Sequence, residues 1–336
     1  MELEVWKGDW GLPSVEPNCL AVMAYCKFGS VPVDVKATNN PWKSPTGNLP
    51  VLRHDDHSKA RVSSILSYLR EQKWGTDFDL SVKQSGDMLA YLTMIEEKLV
   101  PAVLHLWWAD NKTYIDLTRP WFAKAVPFPL NFYYPGKKQS EYLQRVYHSS
   151  NQNLSEEEIE AKIYKDGKEC INVLSTKLGK SEFFFGNMPS SLDAVVFGYI
   201  APLLKAPLPN NALVNHLKAC DNLASLCSTI LLRYFPTEVQ ESDQKKRDAE
   251  EKTHEEAVEY PNKKRNMLVS GMVAMSAMVG YAFMSGLVQV EIADADDANE
   301  TKDMHREPQK INLTSTESTG MFEDNQRAQD ENGNTA

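Results

Sequence analysis

The side chains able to do chemistry are few, and their spacing rarely lets two of them act on one atom. Glu96 and Glu97 are adjacent acids with Lys98 beside them. Helix neighbours diverge by about 100°, so these two carboxylates cannot meet one substrate as acid and base; they read as a solvated pair. Asp193 stands three residues after Ser190 and just before an apolar run. That is the pattern of a helix cap, with Ser190 and Asp193 each satisfying a backbone donor. Cys19 and Cys26 are seven apart, as are Cys220 and Cys227. Seven residues is two helical turns, so each pair marks one helix face. A redox or metal site and buried thiols in a reducing compartment both fit that spacing, and the second is the blander reading. The expectation is no catalytic residue, no metal and no cofactor.

The 336 residues, 42% of them hydrophobic, suffice for one sizeable core or two small packed domains plus extensions. The net charge of −10 is uneven: from Glu291 onward 12 acidic residues face four basic ones, which leaves the tail at −8 and the rest at −2. A near-neutral body without a basic stripe argues against nucleic acid. Met1 to Trp10 is acidic and lacks a long apolar run, so no secretory signal is expected there. The sequons at Asn111, Asn153, Asn299 and Asn312 are read as chance.

The elements that must position these groups fall into two textures. Leu3 to Trp6, Val31 to Val35 and Leu49 to Leu52 read as short strands, with Pro50 at the entry of the third. Cys19 to Cys26 and Val62 to Leu69 carry helical spacing. Strand, helix, strand, loop, strand, helix makes a small α/β unit over residues 1–76. Residues 77–235 are helical in texture. Ser81 with Gln84 and Ser155 with Glu158 form capping boxes, Pro101 is expected to kink its helix, and Gly179 to end another. Leu192 to Leu203 is apolar on every side, as a helix in the middle of a bundle must be. Leu213 to Tyr234 supplies the last helix. Trp107-Trp108 and Trp121-Phe122 are dense aromatics, either core or a partner interface.

After a polar linker, 236–266, the stretch Met267 to Val290 holds 24 residues without a charge. As a helix it measures about 36 Å, enough to cross a hydrocarbon core of about 30 Å. Lys263, Lys264 and Arg265 precede it and acids follow it, so the positive-inside rule leaves the N-terminal body on the cytosolic side. The acidic tail, 291–336, has the composition of a segment with no fold of its own.

The α/β unit with Leu49-Pro50 entering its third strand, followed by helices with a Ser-x-x-Asp cap, resembles the glutathione-transferase fold. That resemblance implies an α+β chain, with a thioredoxin-like N-terminal unit and an all-α C-terminal unit, a cis peptide at Pro50, and cap residues that fix a central helix. Phe183-Phe184-Phe185-Gly186 through Pro189 to Ala194 is its most specific stretch. Over nearly all of residues 1–290 the chain also resembles the metaxin family, on Trp10-Gly11-Leu12-Pro13-Ser14, Asn40-Pro41-Trp42, Glu96-Glu97-Lys98-Leu99 and Pro127-Phe128-Pro129-Leu130-Asn131-Phe132. The C-terminal run points to the family's first paralogous group, since other members can lack an anchor.

The metaxin resemblance implies a subunit of the sorting and assembly machinery of the mitochondrial outer membrane, acting in protein import and β-barrel insertion. Its implied partners are a second metaxin-like subunit and an outer-membrane β-barrel assembly protein. A transferase would need a Tyr, Ser or Cys after the first strand to hold the glutathione thiolate. It would also need Glu/Gln-Ser at the start of the helix after the fourth strand for the γ-glutamyl group. Aligned on Tyr68-Leu69, the latter positions are Arg61 and Val62. Val62 offers no hydrogen bond, and Arg61 repels the ligand's ammonium. Ser14 and Cys19 remain in the first loop, as a turn residue and a core thiol or as catalytic groups. The expectation is a non-catalytic interaction module; the alternative is a membrane-bound glutathione-dependent transferase.

Overall fold

The computed structural model describes residues 1–149, 155–209, 211–244, 247–248 and 263–285. It divides into two compact units, Met1–Pro261 and Asn262–Ala336.

The first unit opens on a four-stranded sheet. β1 (Glu2–Val5) lies beside β2 (Asp34–Ala37) in parallel and β3 (Val51–His54) in antiparallel, and β4 (His57–Lys59) pairs with β3, giving the order β2-β1-β3-β4. Alternation along β1 buries Leu3 and Val5 and turns Glu2 and Glu4 outward. Those acids pair with neighbouring strands, Glu2 with Lys36 at 2.6 Å and Glu4 with Arg53 at 3.1 Å. β2 begins later than its β-branched run suggests, and all four of its residues are exposed, because it is an edge strand. β4 has no apolar residue to announce it. It forms because the chain reverses at Asp55-Asp56, where Asp55 takes φ +50°, and folds back onto β3. Two helices complete this part, α1 (Pro17–Phe28) and α2 (Val62–Glu71).

The helical part runs α3 (Val82–Met94), α4 (Val100–Leu104), α5 (Asn111–Thr113), α6 (Arg119–Ala125), α7 (Leu130–Ser149), α8 (Glu156–Leu178), α9 (Ser191–Lys205), α10 (Ala212–Lys218) and α11 (Asp221–Tyr234). Capping boxes at Ser81/Gln84 and Ser155/Glu158 start α3 and α8, and Gly179, at φ +56°, ends α8. Pro101 lies in the first turn of α4, directly after a π-helical turn, Ile95–Leu99. The widened turn interrupts the regular ladder there, so the donor that Pro101 lacks falls at a break already made. Leu213 to Tyr234 is two helices rather than one, parted at Ala219-Cys220. Residues 236–244 continue as helix, and Val239 packs against the core, so the polar linker begins with ordered turns.

α9 is buried from Ser191 to Leu203. Its closest neighbour is α1, and Gly198 sets the distance: a Cβ there would stand 2.5 Å from the Pro17 carbonyl oxygen and 2.9 Å from Ala21.

In the second unit α12 (Lys263–Met284) begins at the basic triplet Lys263, Lys264, Arg265. Its described apolar side chains, from Leu268 to Tyr281, are exposed. Among the described residues no helix is long and apolar enough to cross a membrane. The uncharged run expected over 267–290 continues past α12, and its last residues, 286–290, lie outside the described residues, as does the acidic tail from Glu291.

The α1–α9 approach makes a direct prediction. Gly198→Ala should lower stability by about 1–3 kcal/mol, because backbone rather than a flexible side chain must move. Gly86→Ala, on an open face of α3, should be neutral or raise it by about 0.5–1 kcal/mol. Melting midpoints of the two variants in the fragment Met1–Pro261 test this; equal midpoints would contradict it.

Candidate functional site

The loop after β1 and the start of α1 is where thiol chemistry would sit on this framework. Ser14 is buried, and its hydroxyl oxygen accepts from the Glu16 N–H at 3.4 Å. Glu16 caps α1: one carboxylate oxygen accepts from the Cys19 N–H and the other from the Asn18 side-chain amide, each at 2.8 Å. Burial pushes the Glu16 carboxyl above its ordinary range against the pull of those bonds. Cys19 is fully buried. Desolvation first, and then the neighbouring Glu16 charge, push its thiol well above the ordinary range. A helix N-terminus favours one anion, and here the chain supplies that anion itself. Cys19 therefore stays a thiol at neutral pH. Burial likewise pushes Cys26, Cys170 and Cys227 up to about 12.

The start of α2 is the other position at which a transferase-like site would bind its ligand. Arg61 stands at the N-cap of α2 without a side-chain cap bond, and Val62 is the first helical residue. Neither presents the acceptor and hydroxyl that a γ-glutamyl group needs.

Between the first loop and the helices lies a cavity of about 50 Å³, lined by Trp10, Trp107, Trp108, Trp121 and Phe122 together with Glu16. Trp10 stacks on Trp107 at 6.0 Å, and Phe122 meets Trp108 at 5.2 Å and Trp121 at 4.9 Å. The Trp121 indole N–H donates to Asp9 at 2.9 Å. Trp107 and Phe122 are buried, and Trp108 and Trp121 are only partly exposed. Of the four residues read as core or interface, Trp107 and Phe122 are core, and Trp108 and Trp121 keep part of their surface exposed. The aromatics mainly join the β1–α1 loop to the helical part.

The N-terminus of α9 is the other concentrated polar site. Ser190 and Asp193 form a capping box. One Asp193 oxygen accepts from the Ser190 N–H at 2.8 Å and its hydroxyl at 2.7 Å; the other accepts from the Phe184 N–H at 3.0 Å. The carboxylate thus holds the Phe-rich segment as well as its own helix. Asp193 is wholly buried, and desolvation raises its pKa to about 6 despite those three bonds. A second carboxylate, Asp77, arrives from the segment between α2 and α3. It accepts from the Ser191 N–H at 2.8 Å and from the Ser191 hydroxyl. Sequence reasoning missed Asp77, since its partner lies 114 residues away and nothing local marks it. The Leu49–Pro50 peptide is cis and enters β3, and Phe128–Pro129 is cis as well.

Comparison with known proteins places this architecture. Residues 19–139 match the Tom37 family model, described as an outer mitochondrial membrane transport complex protein. Residues 167–230 match the glutathione S-transferase C-terminal domain. Metaxin-1 of Macaca fascicularis is 43% identical over 297 residues, covering 87% of this chain and 92% of that protein. Metaxin-3 of Danio rerio is 46% identical over 237 residues, covering 70% and 76%. The chain belongs to the metaxin family. A more distant member, a Metaxin-1 homolog of Caenorhabditis briggsae, is 35% identical over 317 residues, covering 88% of this chain and 99% of that protein. Among solved structures the β-etherase LigF from Sphingobium sp. strain SYK-6 is similar at 16% identity, covering 73% of this chain and 98% of that one, with a TM-score of 0.49. The fold of this metaxin-family chain is glutathione-transferase-like, an α/β unit followed by helices.

Asp193 yields a prediction in two parts. Asp193→Ala strands three buried donors, so it should cost about 3 kcal/mol or more, at about 1–3 kcal/mol per unsatisfied group, beyond the roughly 0.5–2 kcal/mol of an ordinary cap. The pH dependence has a definite sign. The folded pKa lies above the unfolded one, near 4, so the native state takes up a proton between about pH 4 and 6. The Asp193 contribution is greatest below pH 4, falls by about 2–3 kcal/mol as pH rises to about 6, and is flat above. Denaturant titrations of wild type and Asp193→Asn in Met1–Pro261 should therefore differ most in the wild type's favour at acid pH. A difference independent of pH would show that this carboxyl titrates in its ordinary range.

Proposed function

We propose that the chain is a non-catalytic, membrane-anchored interaction subunit of the mitochondrial outer-membrane protein import and β-barrel sorting and assembly machinery. Its partners in this reading are a second metaxin-like subunit and an outer-membrane β-barrel assembly protein. Membership of the metaxin family and the match to an outer mitochondrial membrane transport complex protein support the setting. The observation that carries the non-catalytic part is Glu16. Its carboxylate occupies the helix N-terminus at which a glutathione-type thiolate would have to be stabilised, and Cys19 beside it is held protonated. Arg61 and Val62 at the start of α2 remove the complementary polar contacts.

Anchoring is assigned to the uncharged run 267–290, with the body of residues 1–235 on the cytosolic side. The support is Lys263, Lys264 and Arg265 at the start of α12, next to a run long enough to cross a bilayer. Division into a sheet-bearing unit, 1–76, and a helical unit, 77–235, completes the assignment. Confinement of partners to one membrane raises their effective concentration, so each contact need not be tight.

Two measurements test this. In intact mitochondria, external protease should digest epitopes within residues 1–235, and the full chain should resist carbonate extraction while a chain lacking 267–290 is released. Complexes isolated in mild detergent should contain a second metaxin-like subunit and an outer-membrane β-barrel. Full protection of the body would overturn the topology; complexes lacking both partners would remove the assigned role.

A further inference from the structure

The segment Pro127 to Tyr133 is used by neither the aromatic cluster nor the altered thiol site. It starts α7, and it carries the chain's most exposed aromatic surface among the described residues of the first unit. Phe128 is 79% exposed, Phe132 77% and Tyr133 63%. The Phe128 and Phe132 rings meet each other edge-on at 6.1 Å. Their base is rigid: Val126 and Tyr134 on either side are buried, and Tyr134 packs against Trp6 and Trp42, each at 5.5 Å. These rings are therefore presented outward from a backbone anchored in the core on both sides.

The charge around it is one-sided. Val126 to Gly136 contains no charged residue, and Lys124 stands on one flank and Lys137 and Lys138 on the other. Glu141 is the acid that faces them, 3.7 Å from Lys137 and 3.1 Å from Lys138, and Lys138 also donates to the Asn48 side chain. Lys138 is engaged with Glu141 and Asn48, and Lys124 and Lys137 are the exposed cations that flank the uncharged run in sequence. Protein–protein interfaces are depleted in Lys and enriched in Arg. Lysines around exposed aromatic rings instead match the interface of an anionic bilayer, where rings settle at headgroup level and ammonium groups meet lipid phosphates.

We propose that Phe128, Phe132 and Tyr133, flanked in sequence by the exposed Lys124 and Lys137, form a lipid-contact face by which the body lies on an anionic membrane surface. The inference rests on the membrane attachment proposed above and adds a second point of contact. The C-terminal run tethers the chain, and the aromatic face fixes the orientation of the body against the bilayer.

The test uses the full chain in lipid nanodiscs containing phosphatidylserine. Cys220, the one cysteine that is not buried, is replaced by Ser, and Phe132→Cys carries an environment-sensitive dye. With no other protein present, the dye should show blue-shifted emission that is lost when nitroxide lipids are included. The effect should weaken with added salt or after Lys124→Glu and Lys137→Glu. Water-like emission in nanodiscs that do hold the chain would overturn the lipid face and leave the anchor standing. Shielding seen only after a partner protein is added would make the surface a protein interface and overturn the proposal. A chain that does not enter nanodiscs would overturn the anchoring as well.

Discussion

The body of this metaxin-family chain depends on how one buried helix is held. α9 has no polar face with which to orient itself, so its position is set at its N-terminus and along one close approach. Two carboxylates fix the N-terminus: Asp193 from the helix itself, and Asp77 from the segment that leaves α2. Both lie where the helix dipole favours negative charge. Asp77 thereby ties the end of the sheet-bearing part to the centre of the helical part. Gly198 then lets α1 and α9 come together at backbone distance. Since α1 also carries the first-loop residues, the geometry of that loop follows from the same packing.

The chemistry of the first loop follows from a substitution of anions. In a transferase-like fold, a thiolate benefits from a helix N-terminus and nearby hydroxyls. In this chain Glu16 takes the Cys19 N–H, Ser14 is sealed under the loop, and Cys19 is pushed towards its neutral form by burial and by Glu16. The neighbouring cavity is walled by rings that mostly pack on one another. Among the described residues of the first unit the most exposed aromatic side chains are Phe128, Phe132 and Tyr133, whereas Trp107 and Phe122 are buried.

Much of this could be read from sequence where the signal is local. Capping boxes at Ser81, Ser155 and Ser190 name their own helices because both partners lie within four residues. The apolar run from Leu192 could only be a central helix. Elements held by distant partners were not legible. β4 has three polar residues and exists through its pairing with β3, and the break at Ala219-Cys220 interrupts a continuous helical pattern. Asp77 and Glu16 show the same limit at the candidate sites. One acts on a residue 114 positions away. The other closes on a backbone donor that only matters once α1 is buried. Aromatic pairs such as Trp107-Trp108 fit burial more often than an interface, and only packing decides between them.

On this glutathione-transferase-like fold the N-terminus of α1 holds a carboxylate of the chain itself, Glu16. The most direct test of that arrangement is calorimetric titration of the purified protein with glutathione, paired with ultraviolet thiolate difference spectra at neutral pH. With Glu16 on that N-terminus, no binding is expected at millimolar ligand, and no thiolate absorbance. Saturable binding in the micromolar range, with a thiolate signal lost on replacing Ser14 or Cys19, would contradict it.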